Sequence, residues 1–224
     1  MVTLLASLLQ RSKLFDLAIQ SGIRHDVLGG FWFAAALFVF WLQAARGNDP
    51  QKRVRILTVL VGSIFTVILT LVASSVISWP QPIRHHDLAG LFPKYIDRNP
   101  ITNSFPSQST ALYASIAAGV YSLHKVTGTL LWTAVILFVA FPRMYVGGHY
   151  LSDVIAGLLL ALLGYAIARY GLESRFTTHF DSFFEGSQAG RVARELLVFV
   201  WILQVAVEFR EAIWVQRALE TIVG

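Results

Sequence analysis

The sequence predicts an all-α polytopic membrane helix bundle of five or six transmembrane helices, with amphipathic helices at its N- and C-terminal ends. Two observations carry that class. Apolar residues fill 55% of the 224 positions and charged residues only 14%, against about 25% charged in ordinary soluble domains. Several apolar stretches also approach or exceed the roughly 20 residues a bilayer-crossing helix needs. Cysteine is absent, which removes disulfide scaffolds, thiolate nucleophiles and thiolate metal sites. The net charge of +5 is read as a topology signal and as anchors for anionic lipid, with no nucleic-acid partner implied.

The elements follow in order. Residues 1–20 place Leu4, Leu8, Phe15 and Ile19 near helical spacing, interrupted by Arg11, Lys13 and Asp16. This reads as an interfacial amphipathic helix and not as a signal peptide, which would open on a basic region. Residues 27–45 form a first span interrupted only by Gln43, and residues 54–78 a second in which Arg55, near its start, is the only charge. A polar segment, residues 79–106, carries Pro80, Pro82, Pro93 and a histidine pair. Residues 107–123, rich in serine, threonine and small apolar side chains, make a third helix. Residues 128–141 make a fourth that at 14 residues needs length from its flanks. Residues 151–170 make a fifth, with Asp153 near its start. Residues 196–207 are apolar apart from Gln204, but Glu208, Arg210 and Glu211 follow directly. They read as a surface or half-inserted helix, with a sixth span as the alternative. The chain is taken as one membrane domain: an interfacial segment 1–26, a core 27–170 and a tail 171–224.

Five spans fix which loops share a face. The N-terminus, residues 79–106 and residues 142–150 share one face with seven of the lysines and arginines; the opposite face holds the other eleven. The excess assigns the second face to the cytoplasm and the first to the outside.

The outer face also gathers the unusual polar residues. Arg143, His149 and Asp153 stand at R-x5-H-x3-D spacing. If a helix begins near His149, the i,i+4 relation puts His149 and Asp153 on one face. A carboxylate can then hold one imidazole nitrogen and leave the other as a nucleophile or base. Arg143, across the Gly147-Gly148 turn, supplies a planar fork suited to phosphate oxygens, and the glycines let backbone approach a ligand. Taken alone, His149 and Asp153 also read as a polar pair at a helix start. A second segment, 103–110, starts the third helix with Pro106 and Ser107. Backbone N–H groups at Ser107, Gln108 and Ser109 form an anion site there, aided by the Ser107 hydroxyl. Alone this would be a simple N-cap; two such helix starts on one face, with Arg143 between them, favour a phosphate site.

These residues resemble the type-2 phosphatidic acid phosphatase superfamily of membrane phosphatases, over roughly residues 54 to 170. Of its three motifs, K-x6-R-P, P-S-G-H and S-R-x5-H-x3-D, the third is matched by Arg143, His149 and Asp153, with Tyr145, Gly147, Tyr150, Ser152 and Gly157 in keeping and Pro142 replacing the leading serine. The second is matched through Ser107, but Ser109 stands where its histidine belongs. The first is degenerate, with the run Trp79, Pro80, Gln81, Pro82 lacking its arginines. The resemblance implies an attack by His149 on phosphorus, a phosphohistidine, Asp153 orienting the ring, and Arg143, Ser107, Gln108, Ser109 and Gly148 around the phosphoryl oxygens, with no metal or other cofactor. It implies a hydrolase of a lipid-linked phosphate, an isoprenoid diphosphate of the undecaprenyl type above all, in the bacterial inner membrane with its site on the outer face.

The missing second-motif histidine is the family's acid on the leaving oxygen, and loss of a general acid costs about 10²- to 10⁴-fold. Three answers are open. A diphosphate leaves as a phosphate group and needs less protonation. His85, His86 or Asp87 supplies the acid while Arg84, Lys94 or Arg98 supplies the missing cations. Or the protein binds a lipid phosphate without rapid turnover. Phosphotransfer to a lipid or sugar hydroxyl is the alternative enzyme reading. His85, His86 and Asp87 also suggest a metal, but no closed ligand set is visible. His25, His124 and His179 and the tryptophans, Trp32, Trp41, Trp79 and Trp132 among them, are read as interfacial. The partners implied are the bilayer and a lipid phosphate or polyprenyl diphosphate substrate; the sequence is silent on protein partners.

Overall fold

The computed structural model describes residues 12–24, 30–92, 103–177, 179, 183, 184 and 186–207. Among them every regular element is helical, and the only β pairing is an isolated bridge between Pro80 and Asn103. The helices are α1 (Lys13–Arg24), α2 (Gly30–Arg46), α3 (Pro50–Val76), α4 (Gln108–Leu123), α5 (Lys125–Tyr145), α6 (Leu151–Ala166, continued in π form through Ile167–Thr177) and α7 (Gln188–Ala206). Three, Pro50–Val76, Lys125–Tyr145 and Leu151–Glu173, are long and apolar enough to cross a membrane, and α2 is a shorter apolar helix. The chain is an integral membrane protein with an all-α fold.

Local chemistry explains the boundaries. Asp49 caps α3 by accepting from Lys52 N at 3.0 Å, with Pro50 in the first turn, where its missing N–H costs nothing. Along α3 the buried hydroxyls of Thr58, Ser63, Thr66 and Thr70 each donate back to a carbonyl of their own helix at 2.6–2.9 Å. They therefore enter an apolar centre already satisfied. That centre is α3, α4 and α6 packed on one another. One close approach uses Gly157 of α6, where an added Cβ would sit 2.7 Å from the Ser107 carbonyl oxygen. Glycine at this position lets the starts of α4 and α6 lie side by side.

The short fourth stretch does take length from both flanks. His124 caps α5 by accepting from Thr127 N at 3.2 Å, and the helix runs on through Pro142 to Tyr145. Its middle, Val135–Ala140, is π-wound. Such turns are rare and often adjoin functional sites; here they precede the turn that carries Arg143.

The two ends depart in part from expectation. Helix α1 exposes Leu14 and Phe15, as an interfacial helix should, yet its Asp16 is fully buried and accepts from the Tyr145 hydroxyl at 2.7 Å. Leu4, Leu8 and Arg11 lie outside the described residues. Helix α7 begins at Gln188, eight residues before the apolar run, and lies alongside α2 in the opposite direction. Trp41 late in α2 donates to Glu195 early in α7, and Phe38 meets Phe199 further along. Nineteen residues make about 28 Å of helix, close to the hydrocarbon thickness. Among the described residues α7 is not one of the helices both long and apolar enough to cross a membrane. Arg191, Arg194 and Glu195 lower its hydropathy, but Arg194 is 3% exposed and its guanidinium pairs with Glu195 at 3.0 Å. Trp41, read as interfacial, is instead a core residue.

Candidate active site

The site is assembled where α3 ends and α4 and α6 begin. Asn103 does the joining. Its side-chain nitrogen donates to the Ser74 and Ile77 carbonyls at 3.0 and 2.9 Å, which would otherwise be open at the end of α3. Its oxygen accepts from Trp79 N and Phe105 N at 2.9 and 3.0 Å. Ser104 N then donates to the Trp79 carbonyl at 2.6 Å. The 103–107 strand of chain is thereby fixed against the 77–81 segment, with Ser104 and Ser107 fully buried.

Ser104 meets the second helix start. His149 Nδ1 lies 2.7 Å from the Ser104 carbonyl oxygen. A carbonyl only accepts, so Nδ1 carries the proton and Nε2 of the neutral ring presents its lone pair. Asp153 is on the same side at 3.8 Å from Nδ1, beyond hydrogen-bond range. The orienting bond to the ring is thus made by the Ser104 carbonyl, where sequence spacing assigned it to Asp153. The Asp153 carboxylate, 1% exposed, accepts from the Ser104 hydroxyl, from Tyr150 N at 2.7 Å and from the Ser152 hydroxyl at 3.3 Å. It holds the residue that holds the ring. Helix α6 starts at Leu151 with Tyr150 as its cap, two residues later than His149. Ser107 N donates to the Asp153 carbonyl at 3.1 Å, which ties the two helix starts directly.

Arg143 is placed by the loop between α5 and α6. Its carbonyl accepts from Gly148 N at 2.9 Å and from His149 N at 3.3 Å, folding the turn back on itself. Gly147 makes that fold at φ +75, with the Phe92 ring packed against its Cα. Its carbonyl accepts from Ile83 N at 3.0 Å. Ile83, Phe92 and Tyr145 form a small second core against which Ile19 of α1 packs. The Tyr145–Asp16 bond closes this clasp two residues from Arg143.

The electrostatics suit a nucleophile. Burial, reinforced by the Arg143 guanidinium, lowers the His149 pKa from 6.5 to about 4, against the opposing bond to Ser104. The ring is neutral at physiological pH. In a profile of kcat/KM the acid limb is therefore expected near pH 4, with activity held above it. A limb near 6.5 would mean that the ring is not enclosed as described. The same shift ties stability to pH. The unfolded chain binds the proton first, so folded-state stability falls as pH drops from 6.5 toward 4, in the direction that linkage requires.

The model of the PAP2 superfamily matches residues 55–176, more than half of the chain. This chain belongs to the PAP2 superfamily. It is 32% identical over 133 residues to the bacitracin transport permease protein BcrC of Bacillus licheniformis, a match covering 59% of this chain and 61% of that one. It is 28% identical over 141 residues to the undecaprenyl-diphosphatase BcrC of Bacillus subtilis (strain 168), covering 62% and 67%. The match thus spans about three-fifths of the first relative's length. Among solved structures the fold is shared with Aquifex aeolicus LpxE, at a TM-score of 0.55 and 20% identity over 75% of this chain and 92% of that one.

Within this PAP2 chain, Arg143, Ser107, Gly148, His149 and Asp153 converge through the bonds above. Gln108 and Ser109 open α4, where the first-turn N–H groups have no acceptor within the helix. Ser109 is buried; Ser107, expected to offer its N–H and hydroxyl to an anion, instead donates its N–H to the Asp153 carbonyl at 3.1 Å and pairs its hydroxyl with Thr110 at 2.8 Å. Of the substitutes, Arg84 and His85 are in the segment tied by Ile83 to Gly147, while His86 is exposed. Lys94 and Arg98 lie outside the described residues. The His85 and His86 rings stack at 4.7 Å, and His86 is 3.1 Å from Asp87. One ligand atom from each of these three residues lies within 4.8 Å of the others, a weak chelate on an exposed turn that would still need further ligands. Asn103 and Ser104 carry no role in the sequence pattern, although both lie in the 103–110 segment. The signal available was their place directly before the Pro106-Ser107 helix start.

Proposed function

We propose that this protein is a membrane phosphatase that hydrolyses an isoprenoid diphosphate of the undecaprenyl type through a phosphohistidine on His149, at the outer face of a bacterial inner membrane. The single observation that carries the reading is the His149–Ser104 bond, which leaves Nε2 unprotonated beside Arg143 and the start of α4. Nε2 forms a bond to the terminal phosphorus while the phosphorus–bridging oxygen bond breaks and the lipid monophosphate leaves. A water oxygen then bonds to phosphorus, the phosphorus–Nε2 bond breaks, and inorganic phosphate and one proton are released. Arg143 and the α4 N–H groups stabilise the charge on the transferring group.

Ser109 supports the diphosphate over a monoester. A serine hydroxyl does not protonate an alkoxide leaving group near neutral pH, whereas a phosphate leaving group needs little help. The name of the Bacillus subtilis relative points the same way.

The test is phosphate release by the purified protein in detergent from farnesyl diphosphate, phosphatidic acid and phosphatidylglycerophosphate. The diphosphate is expected to turn over fastest. Faster release from phosphatidic acid, or none from any substrate, contradicts the reading. Ser109→His is expected to raise monoester turnover by about tenfold or more and to change diphosphate turnover much less. Equal gains on both substrates would show that the leaving group is not what the serine selects.

A further inference from the structure

Helix α1 (Lys13–Arg24) lies outside the stretch that matches the PAP2 model, and its side chains are placed the reverse way from those of a helix packed on a soluble core. Leu14, Phe15 and Leu17 are exposed, while the residue turned fully inward is Asp16. Ile19 packs on the same side, against the small core of Ile83, Phe92 and Tyr145. An exposed apolar side suits a helix that meets lipid. A buried carboxylate does not follow from that, because taking one out of water costs free energy unless it is bonded. Nor does the helix dipole require it, since an aspartate in the first turn serves the dipole equally well from the surface.

The partner of Asp16 shows what the burial achieves. Asp16 accepts from the Tyr145 hydroxyl at 2.7 Å, and Tyr145 is 2% exposed. The Phe15 ring meets the Tyr145 ring edge-on at 5.8 Å, and the Phe141 ring meets it at 5.7 Å. Phe141 and Tyr145 are the two ends of the five-residue helical turn that carries Arg143. The Arg143 carbonyl accepts from Gly148 N and His149 N. The turn is therefore tied to the nucleophile through its own backbone and to α1 through Tyr145.

We propose that α1 is a positioning element of the site, in which Asp16, through the Tyr145 hydroxyl, fixes the turn that aims Arg143 at the phosphoryl group. This rests on the reading that a phosphoryl group binds beside His149. A planar guanidinium spans two oxygens only when its orientation is held, and a misplacement of about 1 Å at a reacting site costs about 100-fold. Asp16 touches no substrate here; it acts through Arg143.

The experiment measures kcat/KM for farnesyl diphosphate in Asp16→Ala, Tyr145→Phe and the double variant, and repeats Asp16→Ala in an Arg143→Ala background. Tyr145→Phe keeps the ring and its packing, so it decides the same comparison should Asp16→Ala unfold. Inorganic phosphate affinity is read alongside from its shift of the thermal midpoint. Each single variant is expected to lose about 10- to 100-fold, and the double variant no more than the larger single loss, because the two groups make one bond. In the Arg143→Ala background Asp16→Ala is expected to change kcat/KM by less than about threefold, since the group it positions is gone.

A merely structural aspartate would loosen the protein whether or not Arg143 is present. An equal loss in both backgrounds therefore overturns the proposal and leaves the hydrolase reading standing. So do single variants that both stay within about twofold of wild type. If wild type binds phosphate without releasing any, and Asp16→Ala weakens that binding about tenfold, the hydrolase reading fails and this one stands. If wild type neither binds nor releases phosphate, both fail.

Discussion

Alanine in place of His149 is expected to remove phosphate release from every substrate by at least about 10⁴-fold, with the fold intact. The size follows from the division of labour. Arg143, the α4 N–H groups and the helix starts can hold a phosphoryl group in the variant, but the attacking Nε2 is gone, and water must attack without the positioning that the ring provides. Binding should persist: inorganic phosphate is expected to raise the melting point of the variant much as it does that of wild type. Stability should change by only about 1–3 kcal/mol, since the ring contributes one hydrogen bond to Ser104 and keeps 14% of its side chain at the surface. Activity and thermal unfolding measured on one preparation check both statements. A variant that retains a tenth of wild-type turnover would place the nucleophile elsewhere.

Arg143→Ala is the second large effect, about 10³-fold in kcat. Lysine is expected to recover little of it, because a point charge does not reproduce the planar fork that spans two phosphoryl oxygens. A second readout separates this role from a structural one. The guanidinium helps to lower the His149 pKa, so its removal should move the acid limb of kcat/KM upward from about 4 toward 6.5. Loss of rate with an unmoved limb would mean that the guanidinium does not act on the ring.

The bundle was largely legible because its signals are local. Apolar stretches of spanning length need no knowledge of neighbours, and α2, α3, α5 and α6 stand where the hydropathy placed them. The π-wound Val135–Ala140 was not legible, since it changes backbone bonding without changing composition. Nor was α7 beside α2. Arg194 and Glu195 depress the hydropathy of α7, and their mutual pairing and the bond from Trp41 help to make them tolerable there.

The site divides along the same line. Arg143, His149 and Asp153 lie within eleven residues, so their spacing alone announced them. Ser104 reaches His149 across 45 positions and does so through its backbone, a contact to which residue identity gives no clue. Asp16 and Tyr145 are 129 positions apart, and an aspartate in an amphipathic helix reads as a solvated charge until its partner is known.

The most direct test is to trap the covalent step. Protein mixed with farnesyl diphosphate is quenched within milliseconds in alkali, which preserves phosphohistidine, then digested and mapped by mass spectrometry and phosphorus NMR. A phosphoryl group on Nε2 of His149, appearing and decaying at rates consistent with turnover, is the expected result. Turnover with no labelled His149, or with the label on Nδ1 or on another residue, would contradict the tautomer set by Ser104 and with it the assignment of the nucleophile.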